Sequence, residues 1–396
     1  MIRHLKIERF KSLVKLELEL GRVNVFVGAN GSGKSNLLEG LGVLGAAAFG
    51  RVDDETLLRR GVRPGVSKLY RTAFALGKNV QDIGLEAIDA SGASLRVTLW
   101  TAQNDLGSPW RFKTENLARA WNDVIESRSP NNREKLNPEQ GLAAWATVKL
   151  PRGDAALELM KLLRNYSIYC PNTPSLRGLA QDLQAREPVG LAGGRLPEAI
   201  EELLHHDKKN VVLPEALEDV RDLLDWASDF STESSVGVPL SPAAARSRLV
   251  IQFVDRFMAK KRNKLTGYDA SEGALYILYY AALALHPKSP RCLAVDNLDQ
   301  ALNPRLAQKL MTALCSWTNL QNGGRQWLIT AHNPAILDGL PLTDPEVRLF
   351  TVDRDSNGYT VVRRIDLETA LKARPNKEWT LSRMWMNGLL GGVPNV

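Results

Sequence analysis

The stretch GANGSGKS, Gly28 to Ser35, decides how the rest of the chain is interpreted. It fits the pattern G-x-x-x-x-G-K-[ST] at every fixed position, after the apolar run VNVFV and before the helical pattern NLLEGLGVLGAAAF. In this context the glycines let backbone N–H groups curl around phosphate oxygens, and the helix start adds a favourable dipole. A Gly-rich turn without a ligand is the alternative, but it does not require the complete pattern. The sequence therefore predicts nucleotide binding.

Two side chains of this phosphate loop have distinct predicted tasks. Lys34 is expected to reach the β- and γ-phosphates, and Ser35 is expected to supply a hydroxyl ligand to Mg²⁺. The residues of the loop that are predicted to bind the nucleotide are Gly28, Asn30, Gly31, Ser32, Gly33, Lys34, Ser35 and Asn36.

The composition is that of an ordinary soluble globular protein. The 396 residues are 44% hydrophobic and 24% charged, and there is no apolar run of about 18 residues, so no transmembrane helix or membrane partner is expected. Three cysteines, Cys170, Cys292 and Cys315, form neither a CxxC pair nor a zinc spacing. We expect them to be buried free thiols of a cytoplasmic protein.

The net charge of +7 permits contact with nucleic acid without establishing it. The densest basic cluster is MAKKRNK, Met258 to Lys264. A solvated loop and a contact with a phosphate backbone both remain open for it.

Sequence patterns along the chain predict an α/β fold in three regions. IRHLKIERF and VKLELEL indicate a hairpin, and LYRTAFAL, IGLEAIDA and SLRVTLW indicate an antiparallel meander. Polar sequence with helical patches, such as PEALEDVRDLLDWASDF, then indicates a short helical insertion. Apolar strands alternate with helices in the last third, which favours a parallel sheet. The expected regions are an N-terminal lobe at 1–104, the insertion at 105–235 and a C-terminal lobe at 236–396, without a long coiled coil.

The segment RFKSLVKLELELGRVNVFVGANGSGKSNLLEGL resembles the opening of RecF/SMC-type ABC ATPases. These proteins begin with a short hairpin that carries a Phe-Lys-Ser-like element, here Phe10, Lys11 and Ser12. The resemblance implies an ABC-type ATPase head with an N-terminal antiparallel β-subdomain, which uses ATP and Mg²⁺. IYCPNTPSLRG and PVGLAGGRLPEAIEELL resemble connecting segments of RecF-like and overcoming-lysogenisation-defect (OLD-like) ATPases.

DASEGALYILYYAALAL is similar to the signature segment of this family. Ser271 takes the place of the Ser, Gly273 that of the second Gly, and Glu272 replaces the first Gly. The resemblance implies that Ser271 and Gly273 contact the γ-phosphate bound by the opposite subunit. An ordinary Ser N-cap followed by Glu is the alternative. Gln81 is the nearest candidate for the family's lobe-coupling Gln.

RCLAVDNLDQALNP and QWLITAHNPAIL resemble the two remaining motifs. The resemblance implies that Asp296 holds Mg²⁺, that Asp299 belongs to the subunit-interface loop, and that His332 senses the γ-phosphate. For Asp296 the alternative is a cap of the following turn, and for His332 it is a structural histidine.

Asn297 stands where the family has its catalytic Glu. An amide can orient water but cannot take a proton at neutral pH, so the implied catalytic set Lys34, Asp296, Asn297 and His332 predicts slow hydrolysis. Asp299 and Glu272 are the nearest substitute carboxylates. A lineage variant with ordinary turnover through water positioning remains the alternative.

The resemblance implies an ATP-sandwich homodimer, with assembly into a higher oligomer left open. The stretch after His332 is short for the Toprim-type nuclease domain of OLD-like proteins, so we expect a separate effector such as a nuclease or toxin in an anti-phage defence system. Two alternatives stay open. One is a RecF-like DNA repair or maintenance ATPase with DNA as its partner, and the other is an ATP-holding scaffold with negligible turnover.

Overall fold

Two six-stranded sheets and one three-stranded sheet organise the part of the chain that the computed structural model describes. That part comprises residues 1–74, 82–101, 110–120, 123–129, 131, 136–205, 213–240, 248–320, 324–373 and 378–392. Its strands are β1 (Ile2–Phe10), β2 (Leu13–Glu19), β3 (Val23–Gly28), β4 (Asp82–Asp89), β5 (Ser94–Trp100), β6 (Arg111–Ala118), β7 (Val124–Arg128), β8 (Ile168–Tyr169), β9 (Ala227–Ser234), β10 (Leu249–Asp255), β11 (Lys264–Thr266), β12 (Cys292–Val295), β13 (Gln326–Ala331), β14 (Val347–Arg354) and β15 (Thr360–Ile365).

The helices connect and cover these sheets. They are α1 (Lys34–Phe49), α2 (Asp54–Leu58), α3 (Leu142–Ala146), α4 (Ala155–Asn165), α5 (Thr173–Leu176), α6 (Leu196–His205), α7 (Leu213–Leu223), α8 (Glu272–Leu285), α9 (Pro304–Leu320), α10 (Leu367–Ala373) and α11 (Leu381–Met386). In the ranges given above, no helix combines the length and the apolar character needed to cross a membrane.

The first sheet has the order β2-β1-β4-β5-β6-β7 and is antiparallel throughout. It confirms the predicted hairpin, which β1 and β2 form, and the strands predicted from IGLEAIDA and SLRVTLW. Its inner face packs on α1 and α4 in one hydrophobic core.

The second sheet carries the phosphate loop and has the order β15-β14-β3-β13-β12-β8. All its pairs are parallel except the β14–β15 hairpin, which confirms the predicted parallel α/β arrangement. Every residue of β3 is buried, because helices cover both faces of the sheet. The carboxyl ends of β3, β13, β12 and β8 meet at one edge, where α/β sheets bind their ligands.

Three local predictions are wrong. Two strands, β6 and β7, extend the first sheet where a helical insertion was expected. The helix predicted over PEALEDVRDLLDWASDF ends earlier, with α7 at Leu223, and the residues ASDF begin β9. In the third sheet β10 is the central strand and pairs with β9 on one side and with β11 on the other. LYRTAFAL was predicted as a strand, but its first two residues belong to a 3₁₀ helix, Ser67–Tyr70, and residues 71–74 are not part of a named strand. Its last two residues, 75 and 76, lie outside the described residues. Gln81 lies outside the described residues.

One of the three cysteines also departs from the prediction. Cys292 and Cys315 are buried as expected, but Cys170 is exposed. It follows β8 directly, at the edge where that short strand leaves the sheet.

Close packing around α1 leaves little space for a side chain at two of its glycines. A Cβ at Gly45 would lie 2.6 Å from the backbone oxygen of Leu163, whereas a Cβ at Gly40 would lie 2.7 Å from Cδ1 of Ile7. A backbone oxygen moves less readily than the end of a side chain. We therefore expect Gly45→Ala to lower the free energy of unfolding by about 1–3 kcal/mol, measured by urea denaturation.

Gly40→Ala is the matched control in the same helix. It gains the same helix propensity, about 1 kcal/mol, and we expect it to cost less than Gly45→Ala. Equal effects of the two substitutions would contradict the proposed packing constraint.

Candidate nucleotide-binding site

The phosphate loop, Gly28 to Ser35, connects the end of β3 to the start of α1. Gly31 and Gly33 have φ angles of 77° and 112°, in the left-handed region that favours glycine. A Cβ added at Gly33 would lie 2.1 Å from Oγ1 of Thr360, so space also requires glycine there. In the described part of the chain no side chain caps the N-terminus of α1. Its first N–H groups therefore remain available to an anion.

A buried hydroxyl in this loop supports an anionic ligand. Ser32 Oγ is shielded from solvent and has no hydrogen-bond partner among the described residues. Buried polar groups in proteins are nearly always satisfied. A phosphate oxygen would satisfy this hydroxyl, and the phosphate loop therefore fits the nucleotide predicted from its sequence.

The Lys34 ammonium group folds back over the loop. Its Nζ donates to the carbonyl oxygens of Gly28, at 2.7 Å, and Ala29, at 2.9 Å, and it lies 3.5 Å from Nδ1 of His332. Burial lowers the pKa of Lys34 to about 8, against the attraction of Asp296. Burial and then the neighbouring Lys34 lower the pKa of His332, so its ring is neutral at neutral pH.

Asp296 lies at the end of β12 and connects two other elements. Ser35 Oγ donates to its two carboxylate oxygens at 2.9 and 3.2 Å, and Thr330 Oγ1 donates to Oδ1 at 2.5 Å. A carboxylate and a hydroxyl side by side suit Mg²⁺, which usually takes one or two protein ligands together with substrate phosphates. Among the described residues, no group of three or more His, Cys, Asp or Glu side chains could hold a metal ion. Phosphate oxygens would therefore be needed as further ligands of Mg²⁺ at this site.

Thr330 is a site residue that the sequence analysis missed. It is fully buried on β13, and besides its bond to Asp296 it accepts the Asn297 N–H at 2.8 Å. The parallel register that pairs Val295 with Ile329 places Thr330 beside Asp296. That register is the only signal that could have identified it.

The backbone of Asn297 adopts a left-handed conformation, with φ of 60°. Asn tolerates this region better than most residues because its short polar side chain bonds locally. The position expected to carry the catalytic base is therefore held in a conformation that suits the amide found there.

Asp299 joins the loops that follow β12 and β13. It accepts the backbone N–H of His332 at 3.1 Å and that of Asn333 at 2.6 Å. These bonds place the His332 ring beside Lys34. The predicted contact of Asp299 with a second subunit stays a prediction.

The Phe-Lys-Ser element of the β1–β2 turn supports the phosphate loop. Ser12 Oγ accepts from Asn36 Nδ2 at 2.7 Å and lies 2.7 Å from Oγ1 of Thr360. Thr360 Oγ1 in turn lies 2.6 Å from the carbonyl oxygen of Ser32. The first sheet and the β14–β15 hairpin thus meet on the loop.

Two arginines near the site were also missed. Arg354 Nε donates to the carbonyl oxygen of Gly31 at 2.7 Å, which holds the loop from its exposed side. Arg63 Nε donates at 2.5 Å to Glu39, which is buried on α1. The hydrogen bond to Glu39 raises the pKa of Arg63, and the nearby Asp296 contributes to the same shift.

The signature residues are not part of this group. Ser271 is exposed at the start of α8, and no hydrogen bond between described residues joins it to the phosphate loop. A Cβ at Gly273 would lie 3.5 Å from the carbonyl oxygen of Ala301. Glu272 accepts from the hydroxyl of Thr173. The predicted role of Ser271 and Gly273 in a second subunit's site therefore stays a prediction.

Comparison with known proteins identifies the family. Residues 23–338 match the model of a family described as AAA domain, putative AbiEii toxin, Type IV TA system. The chain belongs to this family.

Solved structures show the fold. The SMC head bound to the C-winged helix domain of ScpA has a TM-score of 0.53 and 13% identity, over 94% of this chain and 99% of that chain. The Smc head with an extended coiled coil, bound to the C-terminal domain of ScpA from Pyrococcus furiosus, has a TM-score of 0.52 and 12% identity, over 94% and 98% of the chains. The predicted ABC-type head, without a long helical arm in the described residues, is confirmed.

One curated relative matches locally. The DNA replication and repair protein RecF of Paenarthrobacter aurescens (strain TC1) is 38% identical over 87 residues, 22% of this chain. The match spans only 21% of that relative's length. With the SMC heads, it confirms the RecF/SMC resemblance.

The pKa of Lys34 predicts that nucleotide binding depends on pH. Its amine has a pKa of about 8, and phosphates favour the charged form. Binding therefore takes up a proton above that pH. The affinity for ATP should fall by up to about tenfold per pH unit between about pH 8 and 10, measured by calorimetry. Lys34→Arg is the control, because its guanidinium stays charged. A flat profile for the natural protein would contradict this expectation.

The hydrogen bonds of Thr330 predict a second effect. Thr330→Val keeps the shape but removes the donor to Asp296 and the acceptor for the Asn297 N–H. Hydrogen bonds to charged groups contribute about 1.5–3 kcal/mol, so we expect ATP–Mg²⁺ to bind about tenfold more weakly or worse. Thr330→Ser retains the hydroxyl and should bind like the natural protein. Equal affinities for the Val and Ser variants would refute this role.

Proposed function

We propose that this member of an ABC/SMC-like ATPase family is an ATP-gated dimeric switch that hydrolyses ATP slowly. In this proposal it serves as the cytoplasmic sensor and scaffold of an anti-phage defence complex and acts with a separate effector, such as a nuclease or toxin. The observation that carries the nucleotide chemistry is the contact of Ser35 and Thr330 with Asp296, next to the uncapped phosphate loop.

In the proposed mechanism, the chain's own residues bind and orient ATP. The N–H groups at the start of α1 and the Lys34 ammonium hold the phosphates. Ser35 and Asp296 would hold Mg²⁺, which when bound neutralises charge on the transferred phosphate. His332, neutral and beside Lys34, is placed to exchange a hydrogen bond with the terminal phosphate.

Slow turnover is expected because each of the three candidate bases is either an amide or already bonded to another group. Asn297 cannot take a proton from water. Asp299 already accepts the backbone N–H groups of two residues in the loop after β13. Glu272 is exposed and accepts a hydrogen bond from the Thr173 hydroxyl. Loss of a general base typically costs about 10²–10⁴-fold in rate.

The exposed position of Ser271 supports the proposed dimer. Ser271 is exposed at a helix start and its hydroxyl does not cap α8 in the described contacts. Such a helix start can bind a phosphate presented by a second copy. ATP would then favour the closed dimer through contacts that are absent without it.

The defence role rests on the family. Its description names a putative AbiEii toxin and a Type IV TA system. That description supports a role in a toxin–antitoxin or defence system, whereas the separate effector is our own proposal.

A RecF-like role in DNA maintenance is the second candidate. The local identity to RecF favours it, and so does the β10–β11 turn. There Phe257 is 80% exposed, and Lys260, Lys261 and Arg262 are exposed beside it. Salt-dependent DNA binding that strengthens with ATP, and that is lost on charge reversal of Lys260 and Lys261, would favour this candidate.

Substitution of Asn297 tests the rate argument. Asn297→Glu restores a proton acceptor, and we expect phosphate release to rise by about 10²-fold, despite strain of about 1–2 kcal/mol at a positive φ. Asn297→Gln is the matched control. Its side chain is as long as that of Glu but cannot take a proton, so phosphate release should stay slow. An unchanged rate in Asn297→Glu would mean that another residue already supplies the base.

Phosphate release also distinguishes the proposed ATPase from the alternative of an ATP-holding scaffold. Steady release that Lys34→Ala abolishes would exclude a scaffold with negligible turnover. Release that persists in Lys34→Ala would instead contradict the assigned site.

A further inference from the structure

A basic cleft lies far from the phosphate loop. It has two adjoining parts, the smaller with a volume of about 410 Å³ and the larger with a volume of about 560 Å³. The larger part opens at the C-terminal end of α1, about 24 Å along the helix from Lys34, given 16 residues. Five cations line it without any carboxylate among the lining residues. They are Arg59, Arg60, Lys161, Arg164 and Arg186.

The three inner guanidinium groups are bonded but not neutralised. Arg60 donates to the carbonyl oxygens of Thr56 and Arg164, at 2.7 and 3.0 Å, and Arg186 donates to that of Asn165 at 2.9 Å. Among the described residues no carboxylate forms an ion pair with Arg60, Arg164 or Arg186. Carbonyl oxygens satisfy the donors but leave the positive charges in place.

Burial increases the effect of these charges. Burial, and then the neighbouring Arg186 and Arg59, lower the pKa of Arg60 to about 10. Like charges that are close together in a partly buried cleft repel one another, and this repulsion is relieved by an anionic ligand.

An aromatic ring lies at the same place. Phe49, the last residue of α1, is 53% exposed, and the guanidinium of Arg60 lies 5.6 Å from the centre of its ring. Exposed aromatic rings next to basic grooves are typical of sites where a base stacks while cations hold its phosphates.

The charge continues into the smaller part of the cleft. This part shares Lys161, Asn165 and Arg186 with the larger one and adds Lys288 and Arg291. Two carboxylates, Glu158 and Glu187, line it as well. The excess of positive charge is therefore concentrated beside Phe49.

Capping explains only part of this arrangement. Arg60 and Arg164 bond to carbonyl oxygens at helix ends, which is a structural task. That task does not involve the ammonium of Lys161 or the exposed ring of Phe49. Arg59 and Lys161 are more exposed than the inner arginines, and each forms one ion pair, with Glu55 and with Glu158 respectively.

We propose that this cleft is a second nucleotide-recognition site, which holds phosphate groups on its arginines with a base against Phe49. The ligand is either a free nucleotide or a nucleotide unit of a nucleic-acid strand, and both present the same chemistry. Because α1 also begins at Lys34, the ligand would contact the helix that forms the phosphate loop.

The test uses the full chain with Lys34→Ala, which removes nucleotide binding at the phosphate loop. The probes are a labelled single-stranded DNA 12-mer and a fluorescent nucleoside triphosphate, both followed by anisotropy. The test variant adds Arg59→Glu and Lys161→Glu. These side chains are 58% and 48% exposed, so we expect an unchanged melting temperature.

We expect the double charge reversal to weaken binding at least about tenfold, and to reduce the salt slope by about 1.4 for the strand. Lys372→Glu is the matched control, because Lys372 also forms an exposed i,i+4 pair with a Glu at 2.5 Å. It should bind like the parent. Loss for the 12-mer alone identifies a strand, and loss for the triphosphate alone identifies a free nucleotide.

Three results would overturn the proposal. They are parental affinity for both probes in the double variant, equal losses in Lys372→Glu, and loss only when Lys260 and Lys261 are reversed. Phosphate release by the double variant with Lys34 intact is measured separately. Release at the natural rate keeps the ATPase proposal standing whatever the cleft does.

Discussion

The carboxylate of Asp296 is the junction on which the site depends. It receives the hydroxyl of Ser35 from the start of α1 and that of Thr330 from β13. Three elements that are distant in sequence are thereby fixed at one edge of the sheet. Because Thr330 also holds the Asn297 N–H, the same hydroxyl fixes the backbone that would orient a water molecule.

A second set of contacts shapes the phosphate loop from the other side. The β1–β2 turn and the β14–β15 hairpin meet through Ser12 and Thr360, which contact Asn36 and the Ser32 carbonyl. The N-terminal sheet is therefore more than a cover for α1. Its Ser12 contacts Asn36 directly and reaches the Ser32 carbonyl through Thr360.

Short-range patterns predicted the phosphate loop and the β1–β2 hairpin, because each is encoded by a strand and the few residues that follow it. Asp296 and His332 were proposed from the resemblance to a known family rather than from such patterns. Thr330, Thr360 and the arginine cleft depend on sheet register and helix packing, which a single sequence does not contain. The polar strand β6 was mistaken for part of an insertion because its neighbours in the first sheet, rather than its own alternation, stabilise it. The roles of Ser271 and Asn297 belong to an assembly and a reaction, so they remain proposals.

We propose that Asp296 holds the magnesium ion of bound ATP, and the magnesium dependence of ATP affinity is the most direct test of this role. Affinity is measured by calorimetry, with Mg²⁺ and with a chelator, for the natural protein and for Asp296→Asn. The amide has nearly the same shape and can still accept the Ser35 hydroxyl, so the fold is preserved. We expect Mg²⁺ to strengthen ATP binding by about tenfold or more in the natural protein and to have little effect in the variant. An equal effect of Mg²⁺ on both proteins would contradict it.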